Sequence, residues 1–268
     1  MNALGIIAGS GLLPIEIARR ARQAGVRKLI IVGFVGETDS ALEYLADAMI
    51  YLRVGQLSKL IGYFKSHEID QCTMAGQVAP SGLFAFRPDL RTAALLFRLK
   101  ERNAHTLFGG LADELQKDGI TLIEATPWLQ SLMPEAGFQI GSPPSNKQES
   151  DLRLAHRIAK EVSRLNIGQC VVVKEGTVLA VEGFEGTDEC LRRGGMLSGR
   201  KGGAVAIKVA KENHDMRFDI PCIGEGTALS CVKSNIAVLG LEAGRVIILE
   251  RQRIEILSSQ HRFSIVTI

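Results

Sequence analysis

Carboxylates able to hold a hard metal ion gather in two short stretches. "VEGFEGTDE" places Glu182, Glu185 and Asp188 three residues apart within a glycine-interrupted turn, and "HDMRFDIP" sets Asp215 and Asp219 around Arg217. Oxygen donors without soft ligands suit Mg²⁺ or Mn²⁺ rather than zinc. Such an ion, bridging diphosphate oxygens, would stabilise the charge that builds in phosphoryl transfer, with a carboxylate orienting the attacking water. Cations and glycines stand close by in "RRGG" (192–195), "SGRKGG" (198–203) and "KVAK" (208–211, opening on Lys208), and are expected to serve the same anion. A solvated turn is the alternative for each acid. Asp219 is harder to dismiss: Phe218, Ile220 and Pro221 surround it, and a carboxylate among buried groups needs a partner or a function.

A second candidate lies near the start of the chain, in "GIIAGSGLLP" (5–14). Gly9, Ser10 and Gly11 separate an apolar run from a helical one. Glycine permits close backbone approach, helix N-terminal N–H groups attract anions, and Pro14 suits a first helical turn. The spacing is not G-x-G-x-x-G, because Leu13 and Pro14 stand where the third glycine belongs, and no acidic residue ends "KLIIVGF"; a nicotinamide cofactor is not expected. A phosphate-holding loop and an ordinary tight turn both remain open. "RVGQLSKL" (53–60), with Gly55, Gln56, Ser58 and Lys59, and "MAGQVAP" (74–80), with Gly76 and Gln77, would reach the same sheet edge, where ligands of open α/β sheets bind.

The elements that must position these groups follow from hydrophobic period. "LGIIA" (4–8), "KLIIVGF" (28–34), "MIYLRV" (49–54), "QCTMAG" (71–76) and "ITLIEA" (120–125) read as strands. Leu13, Ile17, Ala18 and Ala21, and Leu57, Leu60, Ile61 and Phe64, repeat at helical spacing. Alternation of this kind predicts a Rossmann-like parallel sheet covered by helices over residues 1–133. Residues 134–150, "PEAGFQIGSPPSNKQES", concentrate Pro, Gly, Ser and charge and are expected to be an interdomain linker. A helix starting near Asp151 then opens a mixed α/β domain over 151–268. "CVVVKEGTVLAVEGFEGTDE" there predicts two strands joined at Lys-Glu-Gly, followed by the β-like runs "AVAIKV" (204–209), "IAVLGL" (236–241) and "RVIILE" (245–250).

Composition narrows the function. The 268 residues are 46% hydrophobic and 23% charged, as expected of a well-cored globular chain. With 10 Phe, 3 Tyr and 1 Trp and a net charge of +3, single-stranded nucleic acid is not an expected partner. The five cysteines are widely spaced and no signal peptide is evident, which favours a reducing cytoplasm over a disulfide framework or zinc site. No run of eighteen apolar residues occurs, so a spanning helix is not expected. The five histidines form no metal-spaced pair, and "SSQH" lacks the glycine elbow of a serine hydrolase.

Taken in order, "IIAGSGLLP", "VGQLSKLIGYFK", "MAGQVAP", "VVVKEGTVLAVEGFEGTDE" and "DMRFDIPCIGEGT" resemble the hallmark stretches of the LpxI-type UDP-2,3-diacylglucosamine pyrophosphatases, over residues 5–227 and on into "LGLEAGRVIILE". The resemblance implies a cytoplasmic, membrane-peripheral hydrolase of lipid A biosynthesis, with an N-terminal Rossmann-like domain, a linker and a C-terminal α/β domain. It would act at the inner membrane surface, cleaving the diphosphate with water and Mg²⁺ to give UMP and 2,3-diacylglucosamine 1-phosphate; a homodimer is admissible. By the "RFDIP"-like motif, Asp219 is carried over as the catalytic or metal-directing residue, with Glu182 and Asp188 from the acidic turn as its metal partners. The implied substrate-binding set is Gly9, Ser10, Gly11, Lys59, Gly76, Gln77, Thr187, Lys208 and Arg217. Two departures stand out: "RNAHTL" (102–107) replaces a usually acidic stretch, and His214 stands where a glutamine is common, making His105 and His214 candidate phosphate donors. "LFAF" (83–86) and "TAALLF" (92–97) are candidates for an acyl-chain wall, with core packing as the alternative. A nucleotide-sugar or lipid-binding protein of the same fold without catalysis is the competing reading.

Overall fold

The computed structural model describes residues 1–78, 88–99, 104–211, 215–218 and 220–268. "LFAF", Phe84, Phe86, His214 and Asp219 lie outside them. The described residues form two compact units, the first comprising residues 1–129 with 215–218, the second 130–211 with 220–268.

In the first unit, β1 (Ala3–Ala8), β2 (Lys28–Phe34), β3 (Ala48–Leu52), β4 (Gln71–Ala75) and β5 (Thr121–Leu122) make a parallel sheet in the order β3-β2-β1-β4-β5. The apolar runs of β1 and β2 are almost wholly buried, as central strands covered on both faces require. Their register sets Ile6 beside Ile31, while Ile6 also faces Thr73 of β4. Helix α1 (Leu13–Gln23) buries Leu13, Ile17, Ala18 and Ala21, and α2 (Leu57–Ser66) buries Leu57, Leu60, Ile61 and Phe64, the residues whose spacing predicts those faces. Helices α3 (Leu90–Arg98), α4 (Ala104–Lys117) and α5 (Thr126–Leu129) complete the unit. Strand order reverses between β1 and β4, so the crevice at their carboxyl ends is the position where this topology takes ligands. The run "ITLIEA" yields only a two-residue strand: Ile123 still donates to the Cys72 carbonyl (2.8 Å), after which the chain turns into α5.

The second unit holds β6 (Gln139–Ile140), α6 (Asn146–Arg164), β7 (Cys170–Lys174), β8 (Thr177–Val181), α7 (Thr187–Leu197), β9 (Ala204–Lys208), β10 (Cys222–Ile223), α8 (Glu225–Lys233), β11 (Ile236–Leu241), β12 (Ile247–Ile248), α9 (Arg251–Gln260) and β13 (Ser264–Thr267). Its main sheet runs β6-β13-β11-β9-β7-β8, with β13, β11 and β9 parallel and β6 and β7 antiparallel to their neighbours.

Several expectations need correction here. Residues 134–150 contribute β6, paired with β13, and the first turn of α6, so much of the expected linker is part of the second unit. Its Pro- and Gly-rich composition reflects a short edge strand and a helix cap. Helix α6 begins before Asp151, because Ser145 and Gln148 close a capping box. Of the β-like run "RVIILE", Ile247 and Ile248 form β12, which pairs with β10 in a separate two-stranded sheet. The predicted hairpin turns at Glu175 and Gly176, both at positive φ as a tight two-residue turn requires, and the Asp151 carboxylate accepts both backbone N–H groups at 2.8 Å. None of the five cysteines forms a disulfide, and no described helix is long and apolar enough to cross a membrane.

Candidate functional site

At the carboxyl edge of the first sheet, the β1–α1 loop and the end of β4 are joined backbone to backbone. Ser10 donates its N–H to the Gln77 carbonyl (2.8 Å), Gln77 donates back to the Ser10 carbonyl (3.2 Å), and the Ser10 hydroxyl also reaches Gln77 O (2.9 Å). Glycine is required on both sides by this approach. A Cβ on Gly9 would stand 2.4 Å from the Gln77 carbonyl oxygen, and one on Gly76, itself at φ +87°, 2.5 Å from Ser10 O. Gly11 differs, with φ +87° and open space around it. Four of the residues singled out from sequence, Gly9, Ser10, Gly76 and Gln77, therefore meet, and two of the glycines answer to loop packing before any ligand is considered.

The "RVGQLSKL" loop has a different outcome. Its α2 N-terminus is taken by a carboxylate of the protein: Asp89 Oδ2 accepts from Ser58 N (2.7 Å) and Oδ1 from Thr92 N (2.8 Å). One side chain thus caps α2 and α3 together. The Gly55 carbonyl receives the Thr92 hydroxyl (2.8 Å) and the Asp89 N–H (2.9 Å), and Gln56 Oε1 receives Arg53 N (3.0 Å). Burial pushes the Asp89 carboxyl upward, but the Thr92 and Ser58 hydrogen bonds outweigh it, leaving a pKa below the usual value. Lys59 is exposed on the following turn. The Asp-x-x-Thr spacing of "DLRT" carried the signal of this cap in the sequence.

In "TAALLF", Thr92 and Leu95 are buried within the unit, whereas Phe97 is 90% exposed. Core packing accounts for the first two and not for Phe97.

In the second unit, Lys208, the last residue of β9, donates to Thr187 Oγ1 (2.9 Å), and Thr187 donates to Glu182 Oε1 (3.0 Å). Glu182 Oε2 accepts Gln169 N (2.9 Å), so both of its oxygens are held by protein donors. Thr187 and Asp188 open α7, whose N-cap, Gly186 at φ +85°, supplies no side-chain acceptor. The first N–H groups of a helix so capped, with an ammonium beside them, are donors of the kind that phosphate oxygens accept. The cations of "RRGG" serve the turn itself: Arg193 pairs with Glu185 (2.5 Å) and donates to Val181 O (2.8 Å), and Arg192 pairs with Glu189 (2.6 Å). Each partner arginine accordingly holds the Glu185 and Glu189 carboxyls below the usual range. "SGRKGG" is separated from Lys208, because it precedes β9 and Lys208 ends it, with roughly 13 Å of strand between.

Mg²⁺ usually takes one or two carboxylates and completes its shell with substrate phosphates and water. Among the described residues no group of three His, Cys, Asp or Glu side chains gathers to hold a metal ion. Asp188 is exposed and makes no hydrogen bond or ion pair with a described residue, so it fits such a role; Glu182, with one protein donor on each oxygen, fits that of an anchor for Thr187.

Residues 215–218 belong to the first unit although they come from late in the chain. Arg217 clasps Asp215 through Nε (2.9 Å) and Nη2 (2.7 Å) and lies over the Phe218 ring, 4.9 Å from its centroid. Phe218 stacks on Phe108 of α4 at 6.0 Å. The Asp215 hydrogen bond chiefly raises the Arg217 pKa, with Glu124 and Asp113 adding to it. Sequence reading singled out Arg217 but missed Phe108, whose place in α4 gave no chemical signal.

Comparison with known proteins bears on the whole chain. Residues 3–132 match the family model described as LpxI N-terminal domain, and residues 135–266 match LpxI C-terminal domain. A curated Caulobacter vibrioides protein, UDP-2,3-diacylglucosamine pyrophosphatase LpxI, is 30% identical over 264 residues, covering 95% of this chain and 93% of that one. Solved structures are far more distant. Phosphoribosylglycinamide synthetase from Anaerococcus prevotii shares 13% identity over 69% of this chain and 40% of its own, with a TM-score of 0.28. Biotin carboxylase from Campylobacter jejuni shares 15% over 73% and 42%, with a TM-score of 0.29. The chain thus spans less than half of these two structures, and such scores carry no functional argument. With both domain models matched in order and an LpxI relative aligned almost end to end, this chain belongs to the LpxI family.

Proposed function

We propose that this protein is an enzyme of lipid A biosynthesis that hydrolyses the diphosphate bond of UDP-2,3-diacylglucosamine, releasing UMP and 2,3-diacylglucosamine 1-phosphate in a Mg²⁺-dependent reaction at the cytoplasmic face of the inner membrane. The observation that carries this reading is the 30% identity, over 95% of the chain, to a pyrophosphatase named for that substrate. The geometry adds compatible chemistry. Lys208 and the open N-terminus of α7 bind phosphate oxygens, and Thr187 is oriented for the same task by its hydrogen bond to Glu182. The joined loops at Ser10 and Gln77 form the edge of the β1/β4 crevice and contribute backbone groups to the nucleotide-sugar. Asp219 orients the attacking water or directs the ion, and Asp188 is the second carboxylate assigned to it. When bound, Mg²⁺ would neutralise charge developing on the diphosphate oxygens.

The test is UMP release by the purified protein from UDP-2,3-diacylglucosamine, with and without Mg²⁺, beside Asp219→Ala. The expected result is metal-dependent turnover in the native protein and a loss of at least about a thousandfold in a variant with unchanged circular dichroism. Substrate retention without UMP would establish a binding protein instead. Full turnover by Asp219→Ala would remove that residue from the chemistry.

A further inference from the structure

The second unit contains a cavity of about 1040 Å³ that the proposed reaction does not use. It opens at the N-terminal ends of β9, β11 and β13, where Lys201, Asn235, His261 and Arg262 line it together with Gln139 and Ser259. This is the edge of the sheet opposite Lys208, which ends β9. Lys201 and Arg262 are exposed and make no hydrogen bond or ion pair with any described residue. The acid on the cavity wall, Glu255, is already paired with Arg251 at 2.8 Å. Among the described lining residues, two cations without an ion-pair partner, an imidazole and neutral hydrogen-bonding side chains thus face a space of small-ligand size whose one acid is paired with Arg251. Oxyanions are the ligands such a lining recognises, and the amide and hydroxyl groups suit the hydroxyls of a polar carrier.

We propose that this cavity is a binding site for a small organic phosphate, such as a sugar phosphate, independent of the hydrolytic site. Lys201 and Arg262 hold the phosphate, and Gln139, Asn235 and Ser259 meet the polar carrier.

Hydrogen exchange by mass spectrometry, read on the full chain with glucose 6-phosphate and, separately, inorganic pyrophosphate at millimolar concentration, tests the site. Protection is expected in peptides covering 139–148, 199–203 and 258–264. The double variant Lys201→Ala/Arg262→Ala is expected to weaken binding at least about tenfold, as loss of charge-assisted hydrogen bonds implies, and to leave UMP release unchanged. Both side chains are exposed, so folding should survive, and thermal melting checks it. The proposal is overturned if neither probe protects these peptides, or if protection is the same in the double variant.

Discussion

Replacing Gly9 by alanine separates two reasons for a glycine at the end of β1. If the residue is glycine to let a ligand approach, Gly9→Ala should weaken binding and leave the ligand-free protein as stable as before. The structure predicts the reverse order of effects. The new Cβ would lie 2.4 Å from Gln77 O and 2.9 Å from both Gln77 C and Gly76 C, all backbone atoms. Relief to ordinary contact means moving the loops apart by about 1 Å, which stretches three hydrogen bonds now between 2.8 and 3.2 Å. Each contributes about 0.5–1.5 kcal/mol, and at an exposed edge water takes back part of that, so a net loss of about 2 kcal/mol is expected. In thermal unfolding this is a fall of about 4–8 °C. Two controls scale it. Ser10→Ala removes one of the three bonds and should cost about 0.5–1 kcal/mol. Gly11→Ala has open space but positive φ, so only its backbone preference, about 1 kcal/mol, is at stake. Urea titration of ligand-free proteins measures all three. A Gly9→Ala protein as stable as the native one, or less perturbed than Ser10→Ala, would refute the reasoning.

Asp89→Ala removes the shared cap of α2 and α3 and should destabilise the protein by about 1–2 kcal/mol in urea unfolding. Because the folded-state pKa of Asp89 is depressed, its contribution is complete above the unfolded value near 4 and is lost as pH falls through the folded pKa; the gap between native and variant should narrow on acidification. Thr187→Val keeps the shape of the α7 N-terminus but breaks the link between Lys208 and Glu182, and should lower kcat/KM for UDP-2,3-diacylglucosamine about tenfold with little change in melting temperature.

The strands and helices that frame the first unit were legible because their signal is local. β-branched runs such as "KLIIVGF" and the apolar spacings of α1 and α2 express burial through side-chain period alone. The expected linker is partly regular structure because a two-residue edge strand and a helix cap are written in the same Pro, Gly and Ser as a loop. Of the site, the residue types were visible and several of their pairings were not. That Asp89 would fill the α2 N-terminus depends on a contact 31 residues away, and that Arg193 would neutralise Glu185 depends on the turn geometry of "VEGFEG".

By itself, the sequence determined the alternation of strand and helix, the glycine-bearing turns at strand ends, and the acidic and basic motifs that mark the family. Tertiary structure decided what those motifs are free to do. It joined Gly9 to Gln77, tied Lys208 to Glu182 through Thr187, and parted Lys201 from Lys208 by the length of β9. The physical reason is that a charge or a glycine is defined chemically by its neighbours in space. A parallel strand carries residues close in sequence to opposite edges of a sheet, while its crossovers bring distant ones to the same edge.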